Sequence, residues 1–255
     1  MMNLYFELSR KPVFSIEDLA AFYLKKESAR SAVSRLLEKG MILRIRRNLY
    51  TAVSAETRSP VANRYQIASA VTETSYVSHH SAMEYFGITD QVFYEMYVGS
   101  DTRFSDFFFD GYHYKYVSSN GPFGIETVDF SGNIRITDRE KTVLDCIKDM
   151  DRIAGAEEVI ANVGAITFLK EEKLVDYLVR IDNQFLYQKT GCIFERLNNK
   201  PAFSENFYDL CREKAGKSTR YLTRDYKRGT FDAKWNLVVP DSMFQLKNGD
   251  ADASI

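Results

Sequence analysis

SIEDLAAFYLKKESARSAVSRLLEKGMILRIRRNLYT, residues 15–51, is the stretch on which the fold of the N-terminal part turns. Ser15, with Asp18 three residues on and Leu19, Ala20, Phe22 and Tyr23 following, has the pattern of a capping box that opens a short helix. After the charged turn Lys25-Lys26-Glu27, Ser28 is placed to cap a second helix running to Lys39, with Gly40 positioned to end it in a left-handed conformation. Ala29, Ala32, Val33, Leu36 and Leu37 recur at helical spacing, so they share a buried stripe and Arg30, Ser31, Ser34 and Arg35 face away from it. Residues 41–45 then read as a strand, Arg46-Arg47-Asn48 as a tight turn whose Asn tolerates positive φ, and residues 49–51 as the returning strand.

Two short helices, the second with an outward Arg/Ser face, followed by a basic hairpin predict a winged helix-turn-helix, a motif that lays its second helix in the major groove of DNA. Residues 25–47 carry eight Lys/Arg against two Glu, the electrostatic footprint of a nucleic-acid surface. The plainer alternative is a solvated face on a structural or protein-binding winged helix. The candidate DNA contacts are Lys26, Ser28, Arg30, Ser31, Ser34 and Arg35 on the helix and Arg44, Arg46, Arg47 and Asn48 on the hairpin. Arginines on the helix suit guanine edges, and those on the hairpin suit phosphate.

Outside this stretch the bulk charge changes sign. Residues 1–58 hold eleven Lys/Arg and six Asp/Glu, while the 255-residue chain has a formal charge of −1, so the remainder is net acidic. An apolar content of 45% suffices for real cores in one large or two ordinary domains. Cys146, Cys192 and Cys211 are odd in number and widely spaced, which fits neither a disulfide framework nor a zinc pattern. No leader-like start and no stretch of eighteen apolar residues is present, so the expectation is a cytoplasmic protein without membrane partners.

The expected organisation is α+β: a winged helix-turn-helix domain at 1–58, a larger mixed domain at 59–246, and a disordered tail at 247–255. Residues 1–14 offer a short helix that packs on the winged helix, and residues 53–60, rich in Ser, Ala and Thr before Pro60, suggest the linker. A helix over 61–71 follows, then an extended Tyr76-Val77, then Ser78 as cap for a helix that Gly87 stops. His79 and His80 point about 100° apart on a helix, which favours a structural role over a metal site. Ten Phe or Tyr between residues 92 and 117, split by Asp110-Gly111, predict a hairpin and a sheet. These aromatics could stack on unpaired bases, but a sheet core explains them more simply. Two further strands complete a β-rich part at 92–137. A helical part at 138–215 begins with Asp138 capping a helix whose Val143, Leu144, Ile147 and Met150 form the buried stripe. Helices are expected over 156–163, 170–181, 185–197 and 204–214, with extended chain after Gly216.

The ordered set of motifs resembles the AbiEi family of antitoxins. Its parts are Leu43-Arg44-Ile45-Arg46-Arg47-Asn48-Leu49-Tyr50, then Tyr76-Val77-Ser78-His79-His80-Ser81-Ala82 with Gly87, then Arg139-Glu140-Lys141-Thr142-Val143-Leu144-Asp145, spread over residues 13 to about 240. Asn48 stands where the family usually has Gly, and Asp138 where it often has a small residue or Pro. The resemblance implies a winged helix ahead of an antitoxin domain, repression of the protein's own operon, and action against a nucleotidyltransferase-like toxin that need not be bound directly. A stand-alone regulator without a toxin is the alternative within the same class.

The sequence offers no phosphate-binding Gly-rich loop, HExxH or paired CxxC, so neither catalysis nor a cofactor nor a metal is expected. The one enzymatic alternative is a Mg²⁺-dependent nuclease built on Asp232-Ala233-Lys234 with an acid such as Asp129. Residues 212–234 hold eight Lys/Arg against three acids. Arg212, Lys214, Lys217, Arg220, Arg224, Lys227 and Arg228 are therefore candidates for a second anion-binding face, for operator phosphates or RNA, or for a basic surface complementing acidic helices.

Overall fold

The computed structural model describes residues 2–244 except 21, 24, 90, 130–131, 198–200, 225–227 and 242; of residues 2, 3 and 26 it describes the backbone alone. The expected tail at 247–255 thus lies outside the described residues. The chain folds into two compact units: residues 1–81 with 92–136, and residues 82–91 with 137–255. Residues 1–58 are grouped with the sheet in the first unit.

The first unit begins with α1 (Met2–Ser9), α2 (Ile16–Ala20) and α3 (Lys26–Glu38), followed by the antiparallel pair β1 (Ile42–Arg46) and β2 (Leu49–Ala52). One apolar cluster holds them: Leu8, Phe14, Leu19, Ala29, Val33, Leu36, Ile42 and Tyr50 are all buried. Phe14 exchanges two backbone hydrogen bonds with Tyr50, at 2.9 and 2.8 Å, which adds a third short extended segment beside β2. Residues 53–60 do not behave as a linker. Val53 bridges Pro60 and the Ser54 amide donates to the Ser59 carbonyl, so the segment closes on itself within the first unit.

The helix expected over 61–71 is reduced to α4 (Arg64–Ser69), because Asn63 rather than an earlier residue caps it in a full capping box with Gln66. After β3 (Tyr76–Val77), α5 (His79–Tyr85) starts in the first unit and ends in the second. β4 (Glu95–Ser100), β5 (Phe107–Phe109), β6 (Tyr112–Ser118), β7 (Ile125–Val128) and β8 (Ile134–Thr137) join β3 in a six-stranded mixed sheet of order β5-β6-β4-β3-β8-β7. Asp110 and Gly111 take φ of 48° and 81°, forming the tight turn between β5 and β6 that their sequence announces. Gly99 faces Tyr76 across the β3–β4 pair, and a Cβ there would sit 2.4 Å from the Tyr76 ring.

The second unit is built on α6 (Arg139–Asp149), which leads through a 3₁₀ turn (Met150–Arg152) to α7 (Ala156–Ala165), α8 (Glu171–Ile181), α9 (Gln184–Arg196) and α10 (Glu205–Lys214). β9 (Arg220–Tyr221), β10 (Thr230–Asp232) and β11 (Leu237–Val239) form a small sheet of order β10-β11-β9. Trp235 is fully buried against α9, where a Cβ on Gly191 would lie 2.2 Å from its ring, and its indole N–H donates to Glu195 at 2.7 Å. Asp138 caps α6 through the Lys141 amide at 2.8 Å, and its other oxygen receives the Lys173 ammonium and the Tyr177 hydroxyl, both at 2.7 Å.

The stripe Val143, Leu144, Ile147 and Met150 is buried as expected, but Glu140, Lys141, Thr142 and Asp145 on the remaining faces of α6 are buried too. Lys141 and Asp145 neutralise each other at 2.6 Å with almost no exposure. All three cysteines are buried free thiols.

Candidate nucleic-acid interface

Residues 15–51 assemble from the local signals up. The Asp18 carboxylate accepts from the Ser15 amide at 2.7 Å, and the Ser15 hydroxyl accepts from the Asp18 amide at 3.3 Å, completing the capping box. Burial raises the Asp18 carboxyl, but Lys11 and the Ser15 donors hold it below the ordinary aspartate value on balance. α3 starts earlier than expected. The Lys25 carbonyl accepts from the amides of Ser28 and Ala29, so Ser28 sits inside the first turn and is an exposed surface residue, not the cap.

The rest of α3 follows its periodicity. Ala29, Ala32, Val33 and Leu36 are buried and Leu37 half-buried, while Arg30, Ser31, Ser34 and Arg35 are exposed. Among the described residues neither Arg30 nor Arg35 has an ion-pair partner, so two full charges are presented outward uncompensated. The side chain of Lys26 lies outside what is described.

The hairpin divides its four candidates in two. Arg44 and Arg47 are exposed. A register shift between Arg44 and Arg46 turns the latter inward, where its guanidinium lies 5.4 and 5.3 Å from the rings of Phe104 and Phe107 of the same unit. Burial pushes its pKa down, and one guanidinium nitrogen is buried without an acceptor. Arg46 therefore anchors the hairpin to the aromatic sheet. Asn48 takes the expected left-handed φ of 59°, yet its side chain is also occupied: it accepts from the Ile16 amide at 3.0 Å and donates to Glu17 at 2.6 Å. It fixes the hairpin turn to the start of α2.

The second basic set lies in the other unit and is less uniform than its sequence suggests. Arg212 is engaged by Glu205 and Asp209. Lys214, Lys217 and Arg228 are exposed, Arg220 is exposed with its guanidinium 5.0 Å from the Phe185 ring, and Lys227 lies outside the described residues. Arg224 lines a cavity with three cations that no sequence pattern singled out, Lys148, Arg152 and Lys189, because α6, the 3₁₀ turn and α9 meet only in the folded chain. The Asp232 carboxylate is bound by Arg196 at 2.7 Å and by the turn amides of Lys234 and Trp235, and Lys234 pairs with Glu195. These are the contacts of turn charges. His79 and His80 are buried, and no cluster of metal-ligating side chains occurs among the described residues. No described helix is long and apolar enough to cross a membrane.

The elements define a mixed α+β protein of two compact units, the first presenting exposed Arg30 and Arg35 on one helix and the second a cavity lined by four cations. A crystal structure of the RV2827C protein from Mycobacterium tuberculosis has a similar fold, with a TM-score of 0.63 over 92% of this chain and 89% of that one at 12% identity. At that identity the likeness concerns the fold alone. No family model and no curated protein sequence matches the chain.

Proposed function

We propose that residues 15–51 act as a winged helix-turn-helix that binds duplex operator DNA, and that the chain is a cytoplasmic repressor of its own operon and an antitoxin of the AbiEi kind. What carries the DNA-binding part is the outward face of α3, where exposed Arg30 and Arg35 have no internal partner among the described residues, accompanied by exposed Arg44 and Arg47 on the hairpin. Cations left unpaired on one face, in a stretch with eight Lys/Arg against two Glu, suit a polyanion. The antitoxin part rests on the ordered motifs from Leu43 to Asp145 and supposes a nucleotidyltransferase-like toxin encoded beside it. The chain acts by binding, without catalysing a reaction.

A salt series on operator and scrambled duplex tests the first part. Arg35→Ala should cost about 1 to 3 kcal/mol on the operator and little on scrambled DNA. Replacing Arg44 and Arg47 together by Ala should weaken both duplexes alike and reduce the log–log salt slope by about 1.8, at roughly 0.9 per phosphate contact. Arg46, whose guanidinium lies against Phe104 and Phe107, is left unchanged in this variant. Loss of operator preference with an unchanged slope would assign sequence reading to the hairpin instead. For the second part, co-expression with the neighbouring nucleotidyltransferase-like gene should restore growth; no rescue would leave a stand-alone regulator.

A further inference from the structure

We infer that the second unit holds a binding site for a small phosphorylated ligand, in the cavity that Lys189 and Arg224 share at the end of α6 and the start of α9. The cavity measures about 300 Å³, within the range of small-molecule pockets and too small for a continuous nucleic-acid strand.

Its chemistry centres on Lys189, which is 2% exposed and makes no ion pair among the described residues. Among the described residues its ammonium donates to the carbonyls of Ile147 and Lys148 alone, both at 3.4 Å, the weak end of hydrogen bonding, and lies 4.6 Å from the Phe185 ring. A buried cation without an anion at contact is costly, and burial pushes its pKa down against the opposing pull of the Asp151 and Asp149 carboxylates. Exposed Arg152 and Arg224 and half-buried Lys148 complete a set of four cations on the cavity wall.

Two carboxylates share that wall, and both are in use. Asp149 lies 3.9 Å from Arg152 and 4.0 Å from Lys148, while Asp151 accepts from the Thr223 hydroxyl and, at 3.2 Å, from the Arg224 amide, which pins Arg224 in place. Among the described lining residues, four cations over two anions leave the cavity net positive by the charge of one phosphate dianion. The start of α9 adds to this. Asn183 caps it by accepting only from the Leu186 amide at 3.0 Å, so the first-turn amides of Gln184 and Phe185 have no acceptor within the helix, at its positive dipole end. Donors converging from three elements favour a multi-acceptor oxyanion over a flat carboxylate, and the ring of Phe185 beside Leu186 offers an apolar wall to whatever carries the phosphate.

The test uses the full chain with inorganic phosphate and pyrophosphate, against chloride at equal ionic strength, read by calorimetry and by thermal shift. One saturable site is expected, with Arg224→Ala binding about tenfold weaker, the loss of one charge-assisted hydrogen bond, and Lys189→Met not binding. Circular dichroism of Lys189→Met checks its fold; should it fail to fold, Arg152→Ala, an exposed change, takes its place with a smaller expected loss. No saturable phosphate-specific effect, or affinity equal to the parent's in both Arg224→Ala and the second variant, overturns the proposal. A short DNA duplex that displaces pyrophosphate from the Arg35→Ala protein also overturns it, by assigning the cavity to nucleic-acid phosphate.

Discussion

α3 and α6 carry nearly the same pattern, an apolar stripe backed by charged and hydroxyl side chains, and meet opposite fates. In α3 the polar face is exposed, with Arg30 and Arg35 unpaired among the described residues. In α6 it is buried, and Lys141 closes on Asp145 while Thr142 bonds Thr137 at 2.7 Å. A charged side chain thus speaks of an outside partner only where the fold supplies none. In α6 the partner is one turn away on the same helix, and a buried charge demands such pairing because desolvation is so costly. In α3 water solvates the arginines, and their replacement should be felt by a ligand rather than by the fold.

Stability measurements on single variants would break this contrast if it is wrong. Lys141→Met removes the ion-pair partner of the buried Asp145 and should cost about 3 to 5 kcal/mol in chemical denaturation. Adding Asp145→Leu should recover most of that loss, since the pair as a whole contributes little net stability. A Lys141→Met protein as stable as the parent would mean that the α6 pair reaches water. Gly191→Ala comes next, at about 1 to 3 kcal/mol, because its methyl must displace the buried Trp235 ring. The fluorescence of this single tryptophan should shift to longer wavelength as the ring is pushed toward solvent.

On the α3 side the expected effects are smaller. Asp18→Asn should cost about 1 kcal/mol through the weakened cap and the lost Lys11 pair. Because the folded Asp18 carboxyl lies below its ordinary value of 3.8, its contribution is present above that pH and is lost as pH falls through the folded pKa. The parent should therefore lose more stability than Asp18→Asn on acidification below about pH 4. Arg35→Ala should change stability by no more than about 0.5 kcal/mol. A larger loss would mean that Arg35 has an internal partner and that the exposed face is not reserved for a ligand.

Features that depend on a few consecutive residues were legible in the sequence. The Ser15/Asp18 box, the left-handed Asn48, the Asp110-Gly111 turn, the Asp138 cap and the buried stripe of α3 all follow from steric and hydrogen-bonding preferences that act within one turn of chain. What failed to show needed distant chain. Periodicity identifies one buried face of a helix, but it cannot reveal that α7, α8 and α9 also pack on α6 and bury its charged face. Arg46 looks like its neighbours until Phe104 and Phe107, far along the sequence, receive it. Ser28 lost the cap to Lys25, whose side chain makes no capping bond, and the helix gains most of a turn by beginning three residues earlier. The cationic cavity was hidden for the same reason as Arg46: its four basic residues come from three stretches far apart in sequence, residues 148–152, 189 and 224.

The three free thiols have a practical consequence. All belong to the second unit, and burial raises each of them, Cys192 and Cys211 to about 12 and Cys146 well above its ordinary value. Reactive thiolate is therefore scarce at neutral pH while that unit stays closed. An alkylating reagent added to the native chain would act as a clock for openings of the second unit alone, each event leaving a permanent mass tag, while the first unit, which has no cysteine, could unfold and refold unrecorded.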